Sequence, residues 1–101
     1  MTTPWIPIRY REFYDIPRAI VITWSGETYF LDCPFDDSLD DYPNSFTVYR
    51  LPESLAMCID SCSWNNLARQ GVPVGVVEAE EIDFDSTRRR MMRFRSFSPA
   101  E

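Results

Sequence analysis

The sequence predicts a mainly β protein with one short helix, built as a small barrel or a strongly bent antiparallel sheet of five to six strands. Three observations carry this. Residues Arg18 to Phe35 form an apolar-rich stretch dense in β-branched and aromatic side chains, broken only by Ser25-Gly26. Residues 5–14 and 46–51 alternate apolar and polar with the period of a half-buried strand. Only Ser63 to Gln70 shows helical spacing bracketed by cap signals.

The first element is Trp5 to Tyr14. Ile6, Ile8 and Tyr10 share one side, and Arg9 and Arg11 share the other. Pro7 has no N–H to give a ladder, so this strand begins at a sheet edge. Asp15-Ile16-Pro17 is read as a loop or bend.

A hairpin follows. A two-residue turn at Ser25-Gly26 sets Trp24 opposite Glu27, Thr23 opposite Thr28, Ile22 opposite Tyr29, Val21 opposite Phe30 and Ile20 opposite Leu31. Gly26 supplies the positive φ such turns need. Ile20, Ile22, Tyr29 and Leu31 then share a face. The opposite face mixes Ala19, Val21 and Phe30 with Thr23, Thr28 and Asp32, which suits a side that is only partly covered.

Pro34 to Ser45 is a loop by its Pro, Asn, Asp and Ser content, with a helical turn able to start at Asp36 or Asp37. Phe46 to Leu51 is a strand, with Phe46 and Val48 on one face and Thr47 and Tyr49 on the other. Pro52 to Cys62 fits a short strand or a helical turn equally. Ser63 caps a two-turn helix whose Trp64, Leu67 and Ala68 form an i, i+3, i+4 stripe. Gly71 stands where a left-handed C-cap is wanted, and Pro73 follows as a stop. Val72 to Phe84 is one bent strand or two short ones, with Gly75 and Val76-Val77 disturbing the alternation as a bulge does. In the tail, Met92 and Phe94 continue a strand, or Ser86 or Thr87 caps a short helix. The succession of short strands and turns is loosely similar to SH3-like barrels, and no motif ties the chain to a family. Closure would remove exposed edges.

One domain is expected over residues 1–101, because smaller pieces could not bury a core. Residues 86–101 are its basic, partly ordered C-terminal segment. Hydrophobic residues at 45% and aromatics at 15% suffice for a folded interior. The formal net charge is −6, and all ten basic residues are arginine. Nucleic acid is therefore not expected as a partner. No apolar run approaches the roughly 20 residues that span a bilayer, so a membrane is not expected either. Three cysteines, an odd number without C-x-x-C, together with no signal peptide, read as reduced and cytoplasmic.

Histidine is absent, which removes the commonest general base and zinc ligand. An enzyme is not expected, nor is a cofactor. The cysteines Cys33, Cys58 and Cys62 read as small buried hydrophobes more readily than as zinc ligands. The charge is uneven. Residues 27–60 hold eight acids and one base, and residues 86–101 hold five arginines and one acid.

Two clusters stand out. Asp36, Asp37, Asp40 and Asp41, with Tyr42 and Tyr49 nearby, form an acidic, aromatic-flanked loop suited to a Pro-rich or arginine-bearing peptide. Arg88, Arg89 and Arg90 open a basic segment that pairs with the chain's own Glu78, Glu80 and Glu81, or with the acidic loop of a second copy. The leading expectation is an adaptor module that binds an unidentified protein or peptide through these surfaces. The alternative is a divalent-cation-binding or metal-sensing protein using the 36–41 loop.

Overall fold

The computed structural model describes residues 5–95 apart from 25, 62 and 65. It is mainly β, with two antiparallel sheets. The larger is a five-stranded meander of β2 (Arg9–Tyr14), β3 (Ile16–Trp24), β4 (Glu27–Asp32), β5 (Ser45–Leu51) and β6 (Val72–Glu78). The smaller has the order β1 (Ile6–Pro7), β8 (Met91–Phe94), β7 (Ile82–Phe84). Two single-turn helices, α1 (Glu53–Ala56) and α2 (Leu67–Gln70), lie between β5 and β6. Among the described residues β2 and β6 remain the open edges of the larger sheet, so the bent-sheet form of the prediction holds rather than a closed barrel.

The β3–β4 hairpin has the expected register, from Ala19 opposite Asp32 to Trp24 opposite Glu27. Gly26 takes a φ of 83°, the left-handed value that tight hairpin turns demand. Ile20, Ile22, Tyr29 and Leu31 project into the first core, where they meet Phe46, Val48 and Val77 of the same sheet. Ile6, Ile82, Met92 and Phe94 close that core from the smaller sheet. The edge-to-face contact of Trp24 with Phe94, centroids 5.6 Å apart, joins the two sheets. Each such buried aliphatic or aromatic side chain contributes about 1.5–3 kcal/mol.

Several expectations are corrected. Residues 5–14 are not one strand: Pro7 ends β1, Ile8 donates its N–H to Arg90 O at 2.9 Å, and β2 begins in the other sheet. The segment of Asp15, Ile16 and Pro17 is no loop. Asp15 alone makes the turn with φ 70°, and Pro17 sits buried inside β3. Proline is accommodated there because β4 pairs with β3 only from Ala19 onward.

Pro52 onward takes the helical alternative. The second helix is one turn, not two, and its N-cap is Asn66 without a side-chain hydrogen bond, not Ser63. Gly71 is extended (φ −87°, ψ 167°), not left-handed. Glycine is needed there for space, since a Cβ would stand 2.9 Å from Tyr49 Cβ and 3.2 Å from the Arg50 carbonyl.

Val72 to Phe84 divides into β6 and β7 around a 3-10 turn at Ala79–Glu81. The bulge lies one residue before Gly75: Val48 pairs with Gly75 and Tyr49 with Pro73, which leaves Val74 unmatched. The tail takes the strand alternative as β8, preceded by a turn at Asp85–Arg90.

Candidate functional site

The second face of the large sheet is covered over only part of its area. Val21, Phe30 and Leu51 meet Ile59, Trp64 and Leu67 from the α1–α2 segment in a second core. Trp64 turns inward because its indole N–H donates to Ile59 O at 2.9 Å. Phe30 lies edge-on to Trp64 and stacked on Tyr49, each at 6.1 Å. In the next cross-strand row Ala19, Asp32, Thr47 and Val76 stand side by side on β3, β4, β5 and β6, and of these Ala19 still packs against the second core. Val76 at its end is 58% exposed.

Where that row meets the cover, an open groove of about 410 Å³ forms. Ala19, Phe30 and Asp32 make its floor, and Ser63, Trp64 and Ala68 make one wall. Arg11, Glu12 and Arg18, together with Cys33 and Pro34, complete its rim.

The charges in the groove are not paired evenly. Asp32 is half-buried, and its carboxyl is held above the usual carboxylate range, first by burial and then by the like charge of Glu12. The two arginines are engaged elsewhere. Arg11 lies over the Trp64 ring at 4.6 Å. Arg18 lies over Tyr42 at 4.7 Å and donates from Nη1 to Cys33 Sγ at 3.6 Å. Cys33 is fully buried and donates to Pro43 O at 3.3 Å. Burial pushes its thiol up, only partly offset by Arg18, so it stays protonated and a poor nucleophile at neutral pH.

The acidic turn follows in the chain after Pro34, and none of its four aspartates is in the groove lining. Asp36 and Asp41 form an isolated bridge, closed by Asp36 N–H to Asp41 O at 2.9 Å. The expected helical turn is thus a tight hairpin-like turn, with Asp40 at φ 53°. Asp36 Oδ1 accepts from the Ser38 backbone N–H at 2.9 Å and from its hydroxyl at 2.6 Å, which holds the Asp36 carboxyl below its ordinary value. Asp41 Oδ1 accepts from the Tyr42 N–H at 2.7 Å. Asp37 and Asp40 are exposed. Among the described residues no three Asp, Glu or Cys side chains converge to hold a metal ion. Tyr42 packs edge-on against Phe35 at 5.4 Å, beside the turn. Tyr49 is not part of this surface; it lies with Phe30 under the cover.

The arginine segment lies elsewhere, on β2. Asp85 organises its turn, accepting from the Arg90 and Met91 N–H groups at 3.0 Å each and from both donors of Thr87. Those bonds hold the Asp85 carboxyl far below its usual range. Arg88 donates to Asp15 O at 3.0 Å. Arg89 donates to the Tyr10 hydroxyl at 2.8 Å and covers the Phe13 ring at 4.0 Å. Arg90 is exposed. Arg93 and Arg95 pair with Asp83, at 3.1 and 2.9 Å, an acid outside the expected set of Glu78, Glu80 and Glu81. Cys58 is half-buried and bonds to backbone of its own turn, and Cys62 lies outside the described residues, so the three-cysteine set cannot be placed together.

Of the partner-binding residues singled out from sequence, none lines the groove; Tyr42 alone touches it, through Arg18 on its rim. Glu12, Asp32 and Trp64 were missed as site residues. The one available signal was Asp32 itself, an acid on the mixed face of the hairpin. Nothing local foretold that residues 63–68 would wall it in. Among the described residues no helix is long and apolar enough to cross a membrane. Comparison with protein-family models, curated proteins and solved structures finds no match for this chain.

Proposed function

We propose that the protein is a binding module that takes an extended segment of a partner protein in the groove between the second sheet face and the Ser63–Ala68 wall. The observation that carries this reading is a concavity of about 410 Å³ floored by Ala19 and Asp32, whose cross-strand row continues through half-buried Thr47 to exposed Val76. That volume is in the range of small-ligand and side-chain sites, and the lining pairs aromatic walls with a few polar groups. Tyr42, packed on Phe35 and under Arg18, adds an aromatic contact beside the groove rim. Arg88 and Arg89 tie the Asp85–Arg90 turn to Asp15 and Tyr10, so these arginines act as part of the scaffold in this reading.

The test is an NMR titration of the labelled protein with a panel of blocked proline-rich peptides. Saturable shifts centred on Ala19, Asp32, Ser63 and the Trp64 indole N–H support the groove. Shifts confined to the arginine segment, or none at all, reject it.

A further inference from the structure

We infer that the groove selects a polyproline-II segment carrying an arginine or lysine side chain at Asp32 and Glu12 and an aliphatic side chain three residues away over Val76. This rests on the groove reading above and adds the chemistry of the ligand.

The cationic subsite follows from charge placement. Asp32 and Glu12 both line the groove, and the strongest charged neighbour of the Asp32 carboxylate is Glu12. The guanidinium groups of Arg11 and Arg18 lie over Trp64 and Tyr42, and neither is among the charges that act on the Asp32 carboxyl. A cation from outside would relieve the carboxylate repulsion and gain charge-assisted hydrogen bonds in a partly desolvated place.

The spacing follows from the sheet register. Asp32 pairs with Thr47, and Thr47 pairs with Val76, so the three side chains share a face across two strand steps. Two steps measure about 9.6 Å. A polyproline-II helix rises about 3.1 Å per residue with three residues per turn, so residues i and i+3 lie on one side about 9.3 Å apart. A β-strand ligand puts same-side residues about 6.8 Å apart and turns i+3 away. An α-helix advances only about 4.5 Å along its axis in three residues, so its i and i+3 side chains do not span two strand steps. Val76, with over half its surface exposed, offers the apolar end of the footprint.

Calorimetry of the full chain with blocked proline-rich peptides tests this. The first peptide has arginine three residues before valine. The second replaces arginine by uncharged citrulline, and the third sets arginine and valine two apart. The first is expected to bind roughly tenfold more tightly than either other, a difference typical of one charge-assisted contact or one lost anchor. Asp32→Asn should abolish the preference over citrulline, and Val76→Thr should abolish the preference for the three-residue spacing. A thermal melt of Asp32→Asn no lower than that of the parent excludes misfolding. Equal binding of the arginine and citrulline peptides at the groove overturns the cationic subsite and leaves the groove reading standing. Equal binding of the two spacings overturns the polyproline-II register alone. Absence of saturable binding by every peptide overturns both readings.

Discussion

Asp32 and Asp85 are carboxylates pushed in opposite directions, and the fold depends on pH through both. Asp32 has a folded pKa above its unfolded value near 3.9. Its ionisation therefore weakens the fold, fully above the folded pKa, and the weakening is relieved as pH falls toward the unfolded value. Asp32→Asn should raise the melting temperature at pH 7, with the gain vanishing by about pH 4; thermal melts across that range check it. Asp36, Asp83 and Asp85 have lowered folded pKa values, so their contribution is present above about pH 3.9 and is lost as pH falls through the folded values. Asp85→Ala should lower the melting temperature at neutral pH and flatten the acid limb of the stability profile. Gly71 makes a purely steric case. Gly71→Ala pushes a methyl against Tyr49 Cβ and the Arg50 carbonyl and should cost about 1–3 kcal/mol in urea unfolding, as overpacking does.

Among the elements, the β3–β4 hairpin was legible residue by residue, because turn chemistry and strict alternation both fix the register. The β5 faces were legible for the same reason: Phe46 and Val48 are fully buried, while Thr47 and Tyr49 are half-buried on the other side. The helical segment was misjudged. Its apolar stripe exists, and Trp64 and Leu67 are both buried, but the Trp64 indole is drawn to Ile59 O and the helix starts only at Leu67. The stripe records burial against the sheet, which a single turn achieves as well as two. Trp64→Phe keeps the ring packing on Phe30 and removes the indole donor to Ile59 O, so a loss of about 0.5–1.5 kcal/mol is expected. Leu67→Ala should cost about 2–5 kcal/mol and open the groove wall. Denaturant midpoints of both variants check these values, and a Leu67→Ala protein of parental stability would show that the cover is not held by the second core.

Across the whole molecule, opposite charge does not mean mutual contact. The acidic turn satisfies itself through Ser38 and its own backbone, and the first arginines of the basic segment are spent on Asp15, Tyr10 and Phe13. Pairing of the two segments between copies would have to compete with these contacts. Light scattering is therefore expected to give the monomer mass of 11.9 kDa at low and high salt alike. A larger mass that falls as salt rises would establish pairing between copies.

The amino-acid order alone determined the β class, the hairpin register and the buried set of β5, because each depends on neighbours within a few residues of one another. Tertiary structure alone decided that the strands divide between two sheets, and that Ser63, Trp64, Ala68 and Glu12 line one groove with Asp32. These outcomes join positions tens of residues apart. They depend on how much apolar area each face buries and on what charge is stranded at its edge, and no periodicity in the chain encodes that sum.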